Sequence, residues 1–201
     1  MRVHIVVFDG MDDLDVVGPF AVLGMAGRAG LGVEVRLTAL DDRPATTVGG
    51  LPLPAAPWAP READVLVVPG GGYASGAGTG VRAEIAGGRV PAALAAAVRP
   101  DLVLASVCTG ALLLAAAGLV KGRPCTTHHR AVDDLVAAGG VHVDARVVDD
   151  GDLVTAGGVS SGLDLALWLV ERFRGPDAAG TVQRGMEYER REPLWLRAGA
   201  A

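Results

Sequence analysis

A chain of 201 residues, 50% hydrophobic and 20% charged, has the size and composition of one globular domain with a sizeable core, not of a disordered segment. Its net charge of -5, with no basic run, argues against a nucleic-acid partner gripped through its phosphates. No apolar run is long enough to span a bilayer, no secretory leader is recognisable, and Cys108 and Cys125 fit neither a CxxC metal spacing nor a disulfide framework. A cytoplasmic protein, without membrane or nucleic-acid partners, is the expectation.

Strand and helix patterns alternate along the chain. Residues 3–8 read as a first strand, 14–29 as a helix closed by Gly30, and 33–39 as a second strand. The glycines and prolines of 46–58 suit a hairpin or irregular edge. Residues 64–68 form a short buried strand running into Pro69-Gly70-Gly71-Gly72, and a single helix is expected over 81–98. The apolar run 102–107 reads as a buried strand. It is followed by Cys108 and then by the helix-forming stretch up to Gly118. A short strand over 124–127, a helix over 130–138 and strands over 143–148 and 153–156 come next. Asp149-Asp150-Gly151-Asp152 forms the turn between those last two strands. Residues 160–173 read as an apolar helix and 181–191 as a last, charged one. This alternation, unbroken by any linker, predicts one α/β domain over 1–201 with a doubly wound, mostly parallel sheet between helices.

In such sheets the ligand crevice lies beyond the carboxyl ends of the strands. Residues 9–15, the Gly70–Gly72 run and Cys108 all fall at such ends, so topology brings together segments that sequence keeps apart. Cys108 stands at a sharp strand-to-helix turn, the geometry of a nucleophile elbow, where the helix N-terminus would favour a thiolate. Its bland alternative is a small buried hydrophobe. Asp15, placed among Leu14, Val16 and Val17, reads either as a desolvated general acid/base or as a third capping acid beside Asp12 and Asp13. The run Gly70, Gly71, Gly72 is neither a Walker loop nor GxGxxG. With the Thr109 N–H it reads as an anion-stabilising hole, or else as a flexible turn.

His4 reads as a core residue and His142 as a surface one. His128 and His129 follow a strand end, where one of them can enter the crevice. Adjacent histidines point to opposite sides of an extended chain, so no joint metal site is expected. Ser106 lies in the strand and GxSxG is absent, which sets aside a serine hydrolase.

These residues resemble the ThiJ/PfpI superfamily, and within it the isonitrile hydratase group. The resemblance rests on Ala105-Ser106-Val107-Cys108-Thr109-Gly110, Leu14-Asp15-Val16-Val17-Gly18-Pro19, Val67-Val68-Pro69-Gly70-Gly71, Thr126-Thr127-His128 and Leu153-Val154-Thr155-Ala156-Gly157-Gly158-Val159. It implies a flavodoxin-like sandwich, a homodimer, a small-molecule substrate, no cofactor, and catalysis by Cys108 with Asp15 and Thr109. His129 stands where the hydratase group usually has tryptophan. As a polar wall it suits an oxygenated substrate, so a glyoxalase-like, carbonyl-directed reaction is the alternative. A redox or ligand sensor built on an oxidisable Cys108 is a third reading. DNA-binding regulators carry this domain ahead of a helix-turn-helix module, for which the residues after the last helix leave no room.

Overall fold

The computed structural model describes residues 1–73 and 78–197. In chain order the chain forms β1 (Arg2–Val6), α1 (Asp13–Arg28) and β2 (Glu34–Ala39). The short strands β3 (Ala45–Thr46), β4 (Pro52–Leu53) and β5 (Ala56–Pro57) lead to β6 (Val65–Val68). Two helices, α2 (Val81–Gly87) and α3 (Arg89–Ala97), precede β7 (Val103–Val107) and α4 (Gly110–Ala116). Then come β8 (Pro124–Cys125), α5 (Val132–Ala137), β9 (Val141–His142), β10 (Val147–Asp149), β11 (Leu153–Ala156), α6 (Ser161–Arg174), α7 (Pro176–Met186) and β12 (Leu194–Leu196).

Eight strands make the central sheet in the order β12-β10-β11-β7-β6-β1-β2-β5. All neighbours pair in parallel except β10 with β11, the hairpin read at Asp149–Asp152. The central strands β6 and β7 are buried along their whole length, as strands covered on both faces must be, and this is why they read as unbroken apolar runs. Helices α1, α6 and α7 pack on one another, and α4 packs on α2, α3 and α5. The result is the expected α/β sandwich. No helix among the described residues is long and apolar enough to cross a membrane.

Several expectations are corrected. The helix over 81–98 is two helices, because Gly88 takes φ +69°, and its N–H closes on the Glu84 and Ile85 carbonyls. The strand over 143–148 is reduced to Val147–Asp149, and β8 pairs with the unforeseen β9 in a separate two-stranded ribbon. The last helix starts at Pro176 and stops at Met186, five residues earlier at each end than read from the sequence. Beyond it the chain is tied to the buried Asp164 of α6. The Tyr188 hydroxyl (3.1 Å), the Arg191 amide (2.9 Å) and the Arg146 guanidinium all donate to that carboxylate. That anchor draws residues after 187 out of helix and leads them to β12, which adds an edge to the sheet. His4 is buried in β1, and Ser106 is buried in β7, as read.

Candidate active site

The carboxyl ends of β1, β6 and β7 converge, and five segments meet there. The first is the start of α1. Asp12 caps the helix by accepting from the Leu14 amide at 3.0 Å, while Asp13 accepts from Thr47 Oγ1 at 2.6 Å and from the Gly49 amide at 3.0 Å. Asp15, one turn in, is fully buried. Leu14 and Val17 do not enclose it, since both are exposed at 39% and 40%. The desolvating cover comes from across the site. Asp15 Oδ2 accepts from the Gly70 amide at 2.9 Å, and Oδ1 is buried with no N–H or O–H partner among the described residues. The Cys108 thiol lies against this carboxyl, and the two groups influence each other's ionisation. Burial, and then the charge of Asp12, push Asp15 up to about 7, against the opposing pull of the Gly70 amide and the thiol. The general acid/base alternative therefore fits the structure, and the surface cap does not.

The second segment is the turn at Cys108, whose φ of +56° lies in the left-handed region that residues with a Cβ seldom adopt. The surroundings hold it there. Its N–H donates to the Ala156 and Gly157 carbonyls at 3.1 and 2.9 Å, and its carbonyl accepts from Thr127 Oγ1 at 2.8 Å. The elbow read from the sequence is present, but its expected electrostatics are not. Burial first, then the Asp15 carboxylate, push the Cys108 thiol up to about 12, although N–H groups of Val159 and Thr109 and the Thr109 hydroxyl pull the other way. The seven-residue α4 does not offset the desolvation of a cysteine that is only 6% exposed. The resting residue is a thiol beside a carboxyl that titrates near neutrality.

The glycine run works differently from the anion hole expected of it. The Gly70 amide is spent on Asp15, and the Gly71 amide donates to Thr109 Oγ1 at 3.1 Å. Gly72 packs against the backbones of Gly10 and Gly80, away from the sulfur. The loop thus orients Asp15 and Thr109, and the donors aimed at the sulfur are the amides of Thr109 and Val159. Gly70 has no room for a side chain, because a Cβ would meet Thr109 Oγ1 at 2.5 Å and Asp15 Oδ2 at 3.0 Å.

Above the sulfur lies a cleft of about 210 Å³, lined by Asp12, Gly71, Tyr73, Cys108, Thr109, His128, Arg130 and Val159. His128 is therefore at the site, its Nδ1 accepting from the Arg130 amide at 3.2 Å. His129 is not. It is exposed, with its ring 4.2 Å from that of His128, and it lines a neighbouring groove instead, so it does not form the polar wall expected of it. Val159 and Tyr73 were missed. Val159 has a φ of +33°, an outlier for a β-branched residue, and the preceding Gly157-Gly158 was its only local signal. Tyr73 follows the glycine run directly, as one of two tyrosines in a chain that is 4% aromatic. Cys125 is wholly buried on the separate ribbon. Among the described residues no group of three or more His, Cys, Asp or Glu side chains is placed to hold a metal ion.

Residues 1–172 match the DJ-1/PfpI family. The chain belongs to that family. Among DJ-1/PfpI relatives, an isonitrile hydratase of Pseudomonas putida is 35% identical over 207 residues, covering 96% of this chain and 81% of that protein. A deglycase of Pyrococcus abyssi is 30% identical over 156 residues, covering 78% of this chain and 89% of that one. Of solved structures, a ThiJ/PfpI family protein from Pseudomonas syringae superposes with a TM-score of 0.81 at 32% identity, over 96% of this chain and 76% of that one.

Proposed function

We propose that this DJ-1/PfpI protein hydrates isonitriles to N-substituted formamides, using Cys108 as nucleophile and Asp15 as the proton carrier. The observation that carries the reading is the buried Asp15 carboxyl, held by the Gly70 amide and placed against the Cys108 thiol, each shifting the ionisation of the other. The hydratase relative, at 35% identity over nearly the whole chain, supports the same choice.

The chemistry follows from one shared proton. Ionised Asp15 takes the thiol proton as sulfur bonds to the terminal isonitrile carbon, and that carbon then receives the proton from Asp15, giving a thioimidate, R–N=CH–S–Cys108. Asp15 next removes a proton from water as its oxygen adds to the same carbon, and nitrogen takes that proton. Collapse of the adduct, R–NH–CH(OH)–S–Cys108, breaks the C–S bond, and its hydroxyl proton passes through Asp15 to sulfur as R–NH–CHO is released. The Thr109 and Val159 amides stabilise charge on sulfur while it is the attacking and leaving group. Because Asp15 must start ionised, kcat/KM rises with pH through about 7 and then levels. The test is formamide formation from an n-alkyl isonitrile by protein whose Cys108 is verified as reduced. Absence of formamide overturns the reading.

The deglycase relative supports a second, carbonyl-directed reading, with a hemithioacetal formed at Cys108. Cys108-dependent conversion of methylglyoxal to lactate would select it. The raised thiol pKa weighs against a redox sensor, since the thiolate is the oxidisable form. We also propose a homodimer. Leu14, Val17 and Phe20 expose 39%, 40% and 41% of their surface as one apolar stripe on α1, which a second copy would cover. A monomer in sedimentation equilibrium would overturn that assignment.

A further inference from the structure

The cleft over Cys108, at about 210 Å³, is smaller than the roughly 300–1,000 Å³ of ordinary ligand sites. It has a neighbour. A second cavity of about 400 Å³ lies along α4, and Tyr73 lines both. Its floor is Leu112, Ala115 and Ala116, one face of α4 at i, i+3 and i+4, and Ile85 and Ala86 of α2 form a side wall. The same helix starts at the Cys108 elbow. At 1.5 Å rise per residue, the floor lies roughly 6 to 12 Å along the helix axis from the backbone of Cys108.

Tyr73 is held as the partition between the two spaces. Its hydroxyl donates to Asp134 of α5, its carbonyl accepts from Arg82 Nε at 2.8 Å, and the Arg82 guanidinium covers its ring at 4.3 Å. Arg82 and Asp134 also approach each other to 3.8 Å. The charged groups on the rim thus satisfy one another, leaving alanine, leucine and isoleucine surface for a ligand. A charged tail gains nothing there, and a hydrocarbon one does.

We infer that the α4 groove is the subsite for the N-substituent of the substrate, and that it selects isonitriles with extended, uncharged hydrocarbon tails that pass Tyr73 onto Leu112, Ala115 and Ala116. The inference rests on the isonitrile reading for its substrate, and on the geometry alone for the groove.

The test uses full-length protein and the N-n-alkylformamides from methyl to octyl, whose binding needs no turnover. Calorimetry is expected to show Kd falling about 4-fold per added methylene, the equivalent of about 0.8 kcal/mol for each buried CH₂, until the tail outruns Ala116. Ala116→Phe, an exposed helical position, fills the groove and flattens that dependence, and Ile85→Asp on the opposite wall does the same. A Kd independent of chain length, or a dependence left intact in both variants, overturns the groove. A parallel series of n-alkyl isonitriles separates the two ideas. Turnover with chain-length-independent binding removes the groove and keeps the hydratase. Chain-length-dependent binding that both variants abolish, without turnover of any isonitrile, keeps the groove and removes the hydratase.

Discussion

The Gly70 amide donates to Asp15 Oδ2 at 2.9 Å, so the loop that ends β6 holds the carboxyl that faces the thiol at the end of β7. Two strand ends and a helix start are thereby fixed to one proton-carrying pair, and each member can be tested separately.

Asp15→Asn keeps the side-chain size and an acceptor for the Gly70 amide but carries no proton. Turnover should fall by roughly 10²-fold or more, the usual scale for a general acid/base. The rise of kcat/KM through about 7 should vanish with it. Since the Asp15 charge is one cause of the raised Cys108 pKa, alkylation of Cys108 should shift to lower pH in the variant. Unchanged turnover removes Asp15 from the mechanism.

The same burial has a stability consequence. A carboxyl raised from 3.8 to about 7 favours the fold fully below pH 4, where it is protonated in both states, and that contribution is lost as pH rises through 7. Asp15→Asn is therefore neutral to stability at pH 4 and stabilising at pH 8, by up to about 4 kcal/mol at 1.36 kcal/mol per pKa unit. Urea midpoints at the two pH values measure the difference. A variant less stable than wild type at pH 8 contradicts the buried-charge account.

Gly70→Ala places a Cβ 2.5 Å from Thr109 Oγ1 and 2.6 Å from the Thr109 amide. Overpacking of this kind costs about 1–3 kcal/mol and moves Asp15 off the Gly70 amide. Activity should drop more than stability, because the site depends on sub-ångström placement. Wild-type kcat/KM in a folded Gly70→Ala protein would show that the loop does not position the pair.

Thr109→Val leaves the Gly71 amide without its acceptor and takes a hydroxyl away from the sulfur. The unpaired amide costs about 1–3 kcal/mol of stability. The Cys108 pKa should rise further, moving its alkylation to higher pH, while Thr109→Ser restores the wild-type profile. Identical profiles in Thr109→Val and wild type would exclude the hydroxyl from the site's electrostatics.

Much of this protein was legible in the chain itself. Continuous apolar strands at 64–68 and 102–107, each ending in small residues, fixed a parallel α/β sheet and put Cys108 on a turn, because side-chain period and turn chemistry are local properties. The family motifs added Asp15 and Thr109. Other features had no local signal. Asp15 is buried by Gly70 and Cys108, not by its neighbours Leu14 and Val17, and that needs three strand ends to meet. The thiol pKa goes up because desolvation outweighs a helix of seven residues, a balance set by packing depth. Met186 ends α7 because Asp164, on another helix, captures Tyr188 and Arg191. His129 leaves the cleft to His128 because the chain turns into a 3-10 helix there. Sequence determined which groups end each strand. Tertiary structure decided which of them face the sulfur and which proton they share, since burial and long-range hydrogen bonds exist only once the strands are side by side.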